Sequence, residues 1–383
     1  MRKICLVTGS RAEWGLLSRL AAMIKADQEL QLQIIATNMH LSERYGLTYK
    51  EIEAAGFVID YRVPMEAALD TAAEVVRSMG VAMQGFASAY QALQPDLLVV
   101  LGDRYEILVA VSAALIFNIP VAHLHGGEIT QGAFDDAIRH SITKMSQLHF
   151  TSTQEYARRV IQMGEQPSRV FNVGAIGVDN IKRSELWSKA DTEKSLGEFA
   201  LDRHTVLVTF HPVTMEPGMA SAQIDELLCA LDELHDLRVI FTMPNSDTGA
   251  RVIEEKIGAW CAANSERAVC FSSLGRQRYL SVLQYIGAVL GNSSSGIIEV
   301  PSFGIPTINI GNRQKGRIKA ASVSDCLPLR GEIAAKLSQA MAQDYTLVAN
   351  PYEKADTAQE ILQTLKSISL KDLTIKQFHT IAQ

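Results

Sequence analysis

Short β-branched runs alternate with longer amphipathic segments along the chain, and that alternation is what a parallel sheet covered by helices requires. Ile4–Thr8 predicts a first strand, after which Leu16, Leu17, Leu20 and Ile24 fall at helical spacing. Gln33–Thr37 follows as a strand and Tyr45–Ala55 and Thr71–Leu93 as helices. Leu97–Leu101 is apolar on both faces, the mark of a central parallel strand. Tyr105–Phe117 then predicts a helix, Val121–Leu124 a strand and Ala137–Ser146 a helix. From Thr205 the pattern begins again: Thr205–Phe210, Ala220–His235, Arg238–Thr242, Ala268–Phe271, Gln277–Tyr285, Ala288–Leu290, Gly296–Ser302 and Thr307–Ile310 complete a second α/β set. No sequence repeat accompanies this. The repetition is one of architecture.

A chain of 383 residues is too long for one ordinary hydrophobic core, so two domains are expected. Strand patterning stops between Gly174 and Asp191, which places the domains at 1–175 and 176–355, with a helical segment at 356–383 folding back on the first. With 47% hydrophobic and 20% charged residues, disorder, collagen and coiled coil are excluded for the whole chain. Lys and Arg total 36 against 42 Asp and Glu, which argues against nucleic acid or an anionic membrane as partner. An anionic ligand must therefore meet a local basic pocket. The five cysteines are scattered and form no CxxC pair, so neither a disulfide framework nor a zinc site is expected. The N-terminus lacks the apolar length of a signal peptide, and the longest apolar stretch, Ile107–Leu115, is too short to span a bilayer. A cytoplasmic protein is the expectation, assembled as a homodimer or homotetramer.

Open parallel sheets bind ligands beyond the carboxyl ends of their strands, where loops lead into helices. Nearly every unusual polar cluster of this chain falls there. Gly9-Ser10-Arg11-Ala12-Glu13 follows the first strand, and Arg11 suits a phosphate or sugar oxygen unless it is merely solvated. Gly102-Asp103-Arg104 follows the most buried strand; Asp103 is a candidate acid or base, with a helix N-cap as its structural alternative. In His123-Leu124-His125-Gly126-Gly127-Glu128, strand alternation puts both histidines on one face. His123 reads as a core histidine, and a metal reading of the cluster lacks a third ligand at known spacing. Asp135-Asp136 opens a helix, where the dipole favours carboxylates whatever their function. The functional reading gains from convergence: Asp103, His125, Glu128 and Asp135 all belong to loops on one side of one predicted sheet.

In the second half, His211 follows a strand, as do Asn245 and Asp247 in Pro-Asn-Ser-Asp. Gly291-Asn292-Ser293-Ser294-Ser295-Gly296 offers donors to a diphosphate at a helix start. Glu299 is expected in the first turn of that helix, placed to accept ribose hydroxyls. Arg313 lies in a basic stretch from Gly311 to Arg317 after a strand.

The ordered series Gly-Ser-Arg-Ala-Glu, Gly-Asp-Arg, His-Gly-Gly-Glu, Asp-Asp-x-x-Arg-His, His-Pro-Val-Thr, Pro-Asn-x-Asp-x-Gly, Gly-Asn-Ser-Ser-Ser-Gly and Gly-Asn-Arg-Gln closely resembles the hydrolysing UDP-N-acetylglucosamine 2-epimerases of bacterial sialic acid biosynthesis. The resemblance runs from Lys3 to about Arg317. It implies two Rossmann-like, doubly wound parallel-sheet domains in a GT-B arrangement, with the active site in the interdomain cleft and UDP held mainly by the second domain. It implies UDP-N-acetylglucosamine as substrate and N-acetylmannosamine and UDP as products. By the same resemblance Asp103 and Asp135 match acid-base residues, and His211, counted as catalytic together with them, His125 and Glu128, matches a residue near the diphosphate. Arg11, Asn245, Ser293, Ser294, Glu299 and Arg313 match nucleotide-sugar contacts; Arg104 and Asp247 are counted with them. Several relatives carry Glu where this chain has His125, so imidazole or Glu128 takes that carboxylate's place.

The implied mechanism is elimination of UDP to a 2-acetamidoglucal followed by hydration, and no step needs a metal or nicotinamide cofactor. Competing readings are an epimerase for the diacetamido trideoxy sugar of the legionaminic acid pathway, a GT-B glycosyltransferase, and a nucleotide-sugar sensor. A glycosyltransferase has no need of the Asp103, Asp135 and Glu128 cluster.

Overall fold

The computed structural model describes residues 1–65, 71–244, 247 and 249–381 and divides them into two compact units. The first comprises Met1–Glu128, Asp135–Asn180 and Tyr352–Gln383, and the second Ile129–Phe134 and Ile181–Pro351. The chain thus changes unit after Glu128, Phe134, Asn180 and Pro351, whereas the sequence placed boundaries at 175 and 355 only.

The first unit follows the chain through β1 (Arg2–Thr8), α1 (Arg11–Ala26), β2 (Leu30–Thr37), α2 (Tyr49–Ala54), β3 (Tyr61–Val63), α3 (Ala72–Leu93) and β4 (Leu97–Leu101). It continues with α4 (Tyr105–Ile116), β5 (Val121–Leu124), α5 (Asp135–Met145), β6 (Leu148–Thr151), α6 (Gln154–Gln162), β7 (Val170–Asn172) and α7 (Ile176–Lys182). Its seven strands form one sheet in the order β3-β2-β1-β4-β5-β6-β7, every pairing parallel. Alternation explains the continuous apolar run of β4. Leu97, Val99 and Leu101 enter the core on one face with Ile4, Leu17 and Leu20, while Leu98 and Val100 enter the core on the other with Phe86 and Val111. Each such aliphatic side chain contributes about 1.5–3 kcal/mol on leaving water.

The second unit contains α8 (Lys189–Ser195), β8 (Thr205–Thr209), α9 (Ala220–Glu233), β9 (Arg238–Thr242), α10 (Ala250–Ala263), β10 (Ala268–Phe271), α11 (Gly275–Leu283), β11 (Ala288–Gly291), α12 (Ser294–Ile298), β12 (Thr307–Ile310), β13 (Val323–Cys326) and α13 (Arg330–Met341). Its sheet, β10-β9-β8-β11-β12-β13, repeats the strand order of the first about its own centre, again all parallel. The chain then re-enters the first unit, where α14 (Thr357–Ser367) buries Ile361, Leu362 and Leu365 in the core that holds Ile4 and Leu17. In both sheets the strand order reverses at the centre, between β1 and β4 and between β8 and β11, where doubly wound sheets bind ligands. No helix among the described residues is long and apolar enough to cross a membrane.

Candidate active site

The loops leaving β4 and β5 and the start of α5 gather around one side chain, Arg139. It is fully buried, yet it reaches three polar partners: the Asp103 carboxylate, the Glu128 carbonyl at 2.9 Å and Asp136 Oδ1 at 3.5 Å. A buried guanidinium is costly unless partners of this kind, here on Nη1 and Nη2, compensate it. Asp103 is not a helix cap. The N-cap position of α4 belongs to Arg104, and Arg104 Nε donates to Glu106 Oε1 at 2.9 Å.

His125 stands one residue beyond β5 with a left-handed backbone (φ 66°), so the alternation that was expected to align it with His123 stops short of it. The two histidines have different fates. His123 is fully buried, its Nε2 donates to the Gly102 carbonyl at 2.7 Å, and burial lowers its pKa to about 3, so it is a neutral core residue. His125 Nδ1 donates to Glu128 Oε1 at 2.9 Å, and the Ser152 hydroxyl donates to the same oxygen at 2.6 Å. His125 Nε2 is buried and has no hydrogen-bond partner among the described residues. Because the carboxylate can only accept, it fixes the neutral ring with its proton on Nδ1 and leaves the Nε2 lone pair to take one. Position 125 is thus an imidazole oriented by the Glu128 carboxylate.

Asp135 begins α5, one turn before Arg139. Between Glu128 and Asp135 the chain leaves the first unit, and the intervening segment packs within the second. There the Gln131 N–H donates to the Lys315 carbonyl at 3.0 Å and the Phe134 N–H to Thr214 Oγ1 at 3.1 Å. Arg11 is not joined to the Arg139 cluster by these bonds; it pairs with Glu51 on α2.

In the second unit Asn292, fully buried, ties the ends of β8 and β11 together. Its Oδ1 accepts the His211 N–H at 2.7 Å and its Nδ2 donates to the His211 carbonyl at 2.8 Å. Its own carbonyl accepts Arg313 Nη1 at 3.1 Å and Gln314 Nε2 at 3.0 Å. Preceding it, Gly291 has φ 134°, and a Cβ there would land on the Thr209 carbonyl. Gly291→Ala is therefore expected to destabilise the fold by about 2 kcal/mol or more, measured as the urea midpoint at unchanged slope. Ser293 is the N-cap residue of α12 and Ser294 its first residue. Asp247 is buried just before α10; Asn245 lies outside the described residues.

Glu299 differs from expectation. The helix is short, so Glu299 caps its C-terminal end rather than sitting in its first turn. Its carboxylate accepts the Ser295 hydroxyl at 2.6 Å and Arg276 Nη1 at 3.2 Å, and the Tyr279 hydroxyl lies 2.6 Å from Ser295 Oγ. Sequence reasoning passed over Arg139, Ser152, Asn292 and Arg276 as site residues. Arg139 and Asn292 stood inside quoted motifs, whereas Ser152 and Arg276 carry no local signal.

Two solved structures share this architecture. The UDP-GlcNAc 2-epimerase from Neisseria meningitidis bound to UDP-GlcNAc superposes with a TM-score of 0.78 at 15% identity, over 96% of this chain and 100% of that one. The Methanocaldococcus jannaschii UDP-GlcNAc 2-epimerase in complex with UDP-GlcNAc and UDP gives 0.76 at 16% identity, over 95% and 99%. Likeness at this identity establishes the class of fold, the two-unit parallel α/β architecture of these epimerases. The chain belongs to the UDP-N-acetylglucosamine 2-epimerase family, whose sequence pattern it matches over residues 22–366. A GDP/UDP-N,N'-diacetylbacillosamine 2-epimerase (hydrolyzing) of Campylobacter jejuni is 46% identical over 324 residues, 85% of this chain and 84% of that protein. The polysialic acid biosynthesis protein P7 of Escherichia coli is 39% identical over 100% of this chain and 98% of its own.

Proposed function

We propose that the protein is a hydrolysing 2-epimerase that converts UDP-N-acetylglucosamine and water to N-acetylmannosamine and UDP, for sialic acid biosynthesis. The observation that carries the chemistry is the His125–Glu128 dyad, in which the buried His125 Nε2 has no hydrogen-bond partner among the described residues while its Nδ1 is held at 2.9 Å. A base takes the proton from C2, the C1–O bond to UDP breaks, and the electrons form the C1=C2 double bond of a 2-acetamidoglucal. Water then adds at C1 and a proton returns to C2 from the opposite face, which inverts that carbon. Two faces need two proton carriers. His125 with Glu128 behind it, Asp103 and Asp135 are assigned to these transfers. His211, Arg313, Arg11 and Arg104 are assigned to the diphosphate and sugar, with the Ser293 and Ser294 hydroxyls, Asn245 and Asp247, where charge leaving with UDP is stabilised.

Glu299→Gln tests the nucleotide end of this assignment. The ribose is held alike in ground and transition states, so KM for UDP-N-acetylglucosamine and Kd for UDP are expected to rise together, roughly tenfold or more, while kcat moves little. If Glu299 only anchors Arg276 and Ser295, the melting temperature falls and the Kd measured by calorimetry does not change.

The 46% identity to a diacetylbacillosamine epimerase supports a second reading, in which the sugar carries a second acetamido group at C4. Incubation with each UDP-sugar and no acceptor decides. Release of UDP with N-acetylmannosamine from the first substrate supports the proposal, preferential turnover of the second supports the alternative, and release only with an added acceptor contradicts both.

A further inference from the structure

Two acidic side chains lie buried beneath the loops that close β1 and β4, and the mechanism above uses neither. Glu13, in the first turn of α1, is 6% exposed, and Glu106, in the first turn of α4, is not exposed at all. Both close on Gly9. Its N–H donates to Glu13 Oε2 at 2.6 Å, and a Cβ at Gly9 would stand 2.5 Å from Glu106 Oε1, so only glycine admits both. Glu106 Oε1 accepts Arg104 Nε at 2.9 Å, whereas the buried Oε2 has no hydrogen-bond partner among the described residues. Two ionised carboxylates here would repel, and a buried oxygen left without a donor is costly. A proton on one carboxyl removes the repulsion, and its O–H is a donor that the pair otherwise lacks.

We propose that Glu13 is a protonated carboxylic acid that donates to Glu106, and that this acid–carboxylate pair positions Arg104 beside Asp103 for the substrate. Burial, reinforced by the Glu106 carboxylate, raises the Glu13 pKa to about 8 against the opposing pull of the Gly9 N–H and Arg104. The other groups nearby do not titrate against it at neutral pH. His40, whose N–H bonds the Gly9 carbonyl and whose ring bonds Thr8, is held down at about 4 by burial, and Arg11 pairs with Glu51.

The positioning role rests on the epimerase reading; the protonation does not. Infrared spectra of the full chain without substrate, at neutral pH, should therefore show the carbonyl stretch of a protonated carboxylic acid in the wild type and lose it in Glu13→Gln. A carboxyl with a folded pKa of about 8 keeps its proton after the unfolded chain, near 4.5, has lost it. Its stabilising contribution is full below the unfolded pKa and lost as pH rises through the folded one. Wild-type stability should accordingly fall relative to Glu13→Gln between about pH 5 and pH 8 and level off above. Absence of the band, or a stability difference that ignores pH, overturns the protonation.

For positioning, Glu13→Ala should raise KM roughly tenfold with a smaller change in kcat, and Glu13→Gln, whose amide can still donate to Glu106, should restore KM to within about twofold. An unchanged KM in Glu13→Ala overturns that role. A wild type that turns over neither UDP-sugar overturns the epimerase reading and the positioning with it, while the infrared band still decides the protonation.

Discussion

Asp103→Asn is expected to lower kcat roughly a hundredfold or more with little change in affinity for UDP, the usual scale for losing a positioned acid or base. Asparagine keeps the shape of the side chain and some of its contact with Arg139, but it can neither take nor give the proton. The substitution also leaves a fully buried guanidinium with one fewer carboxylate, so a lower melting temperature should accompany the loss of turnover. Asp135→Asn serves as the comparison. It should cost a similar factor in kcat, and near-normal turnover in both variants would remove the acid-base assignment.

The second large effect concerns the dyad. His125→Ala removes the imidazole, and Glu128→Gln removes the carboxylate that fixes its tautomer; each should lower kcat by about a hundredfold or more. If the two act as one unit, the double variant should be no worse than the weaker single, because the second substitution removes a group whose work is already undone. Additive losses would mean that Glu128 handles a proton independently. His125→Glu is expected to keep measurable activity, since two adjacent carboxylates at positions 125 and 128 can share one proton.

The layered α/β fold was legible because β4 and its neighbours are buried on both faces and written almost entirely in aliphatic residues. The strands that escaped notice, β3, β6, β7 and β13, break that rule; β13, Val-Ser-Asp-Cys, is a half-exposed edge strand. β6 carries His149, whose Nε2 lies 3.0 Å from the buried Glu165, so a polar partner inside the fold hides the apolar run. β3 and β7 are three-residue strands at the sheet edges, too short to show alternation. The candidate site was legible as clusters after strands, but not as a network. Asp103, Glu128 and Asp136 lie far apart or on separate elements and meet at Arg139, a contact that no local spacing encodes. Glu299 was misplaced because helix length follows from Thr307 Oγ1 bonding the Gly296 carbonyl and from the turn at Val300–Phe303, not from the serines that start it.

The central claim is that the C2–H bond breaks before water adds at C1, and solvent isotopes test it most directly. Turnover of UDP-N-acetylglucosamine in D2O should place deuterium at C2 of the product, and turnover in 18O-water should place the heavy oxygen at C1 of the sugar. Retention of the original hydrogen at C2, or heavy oxygen in the phosphate of UDP, would contradict the elimination–hydration account and leave ordinary phosphate-ester hydrolysis in its place.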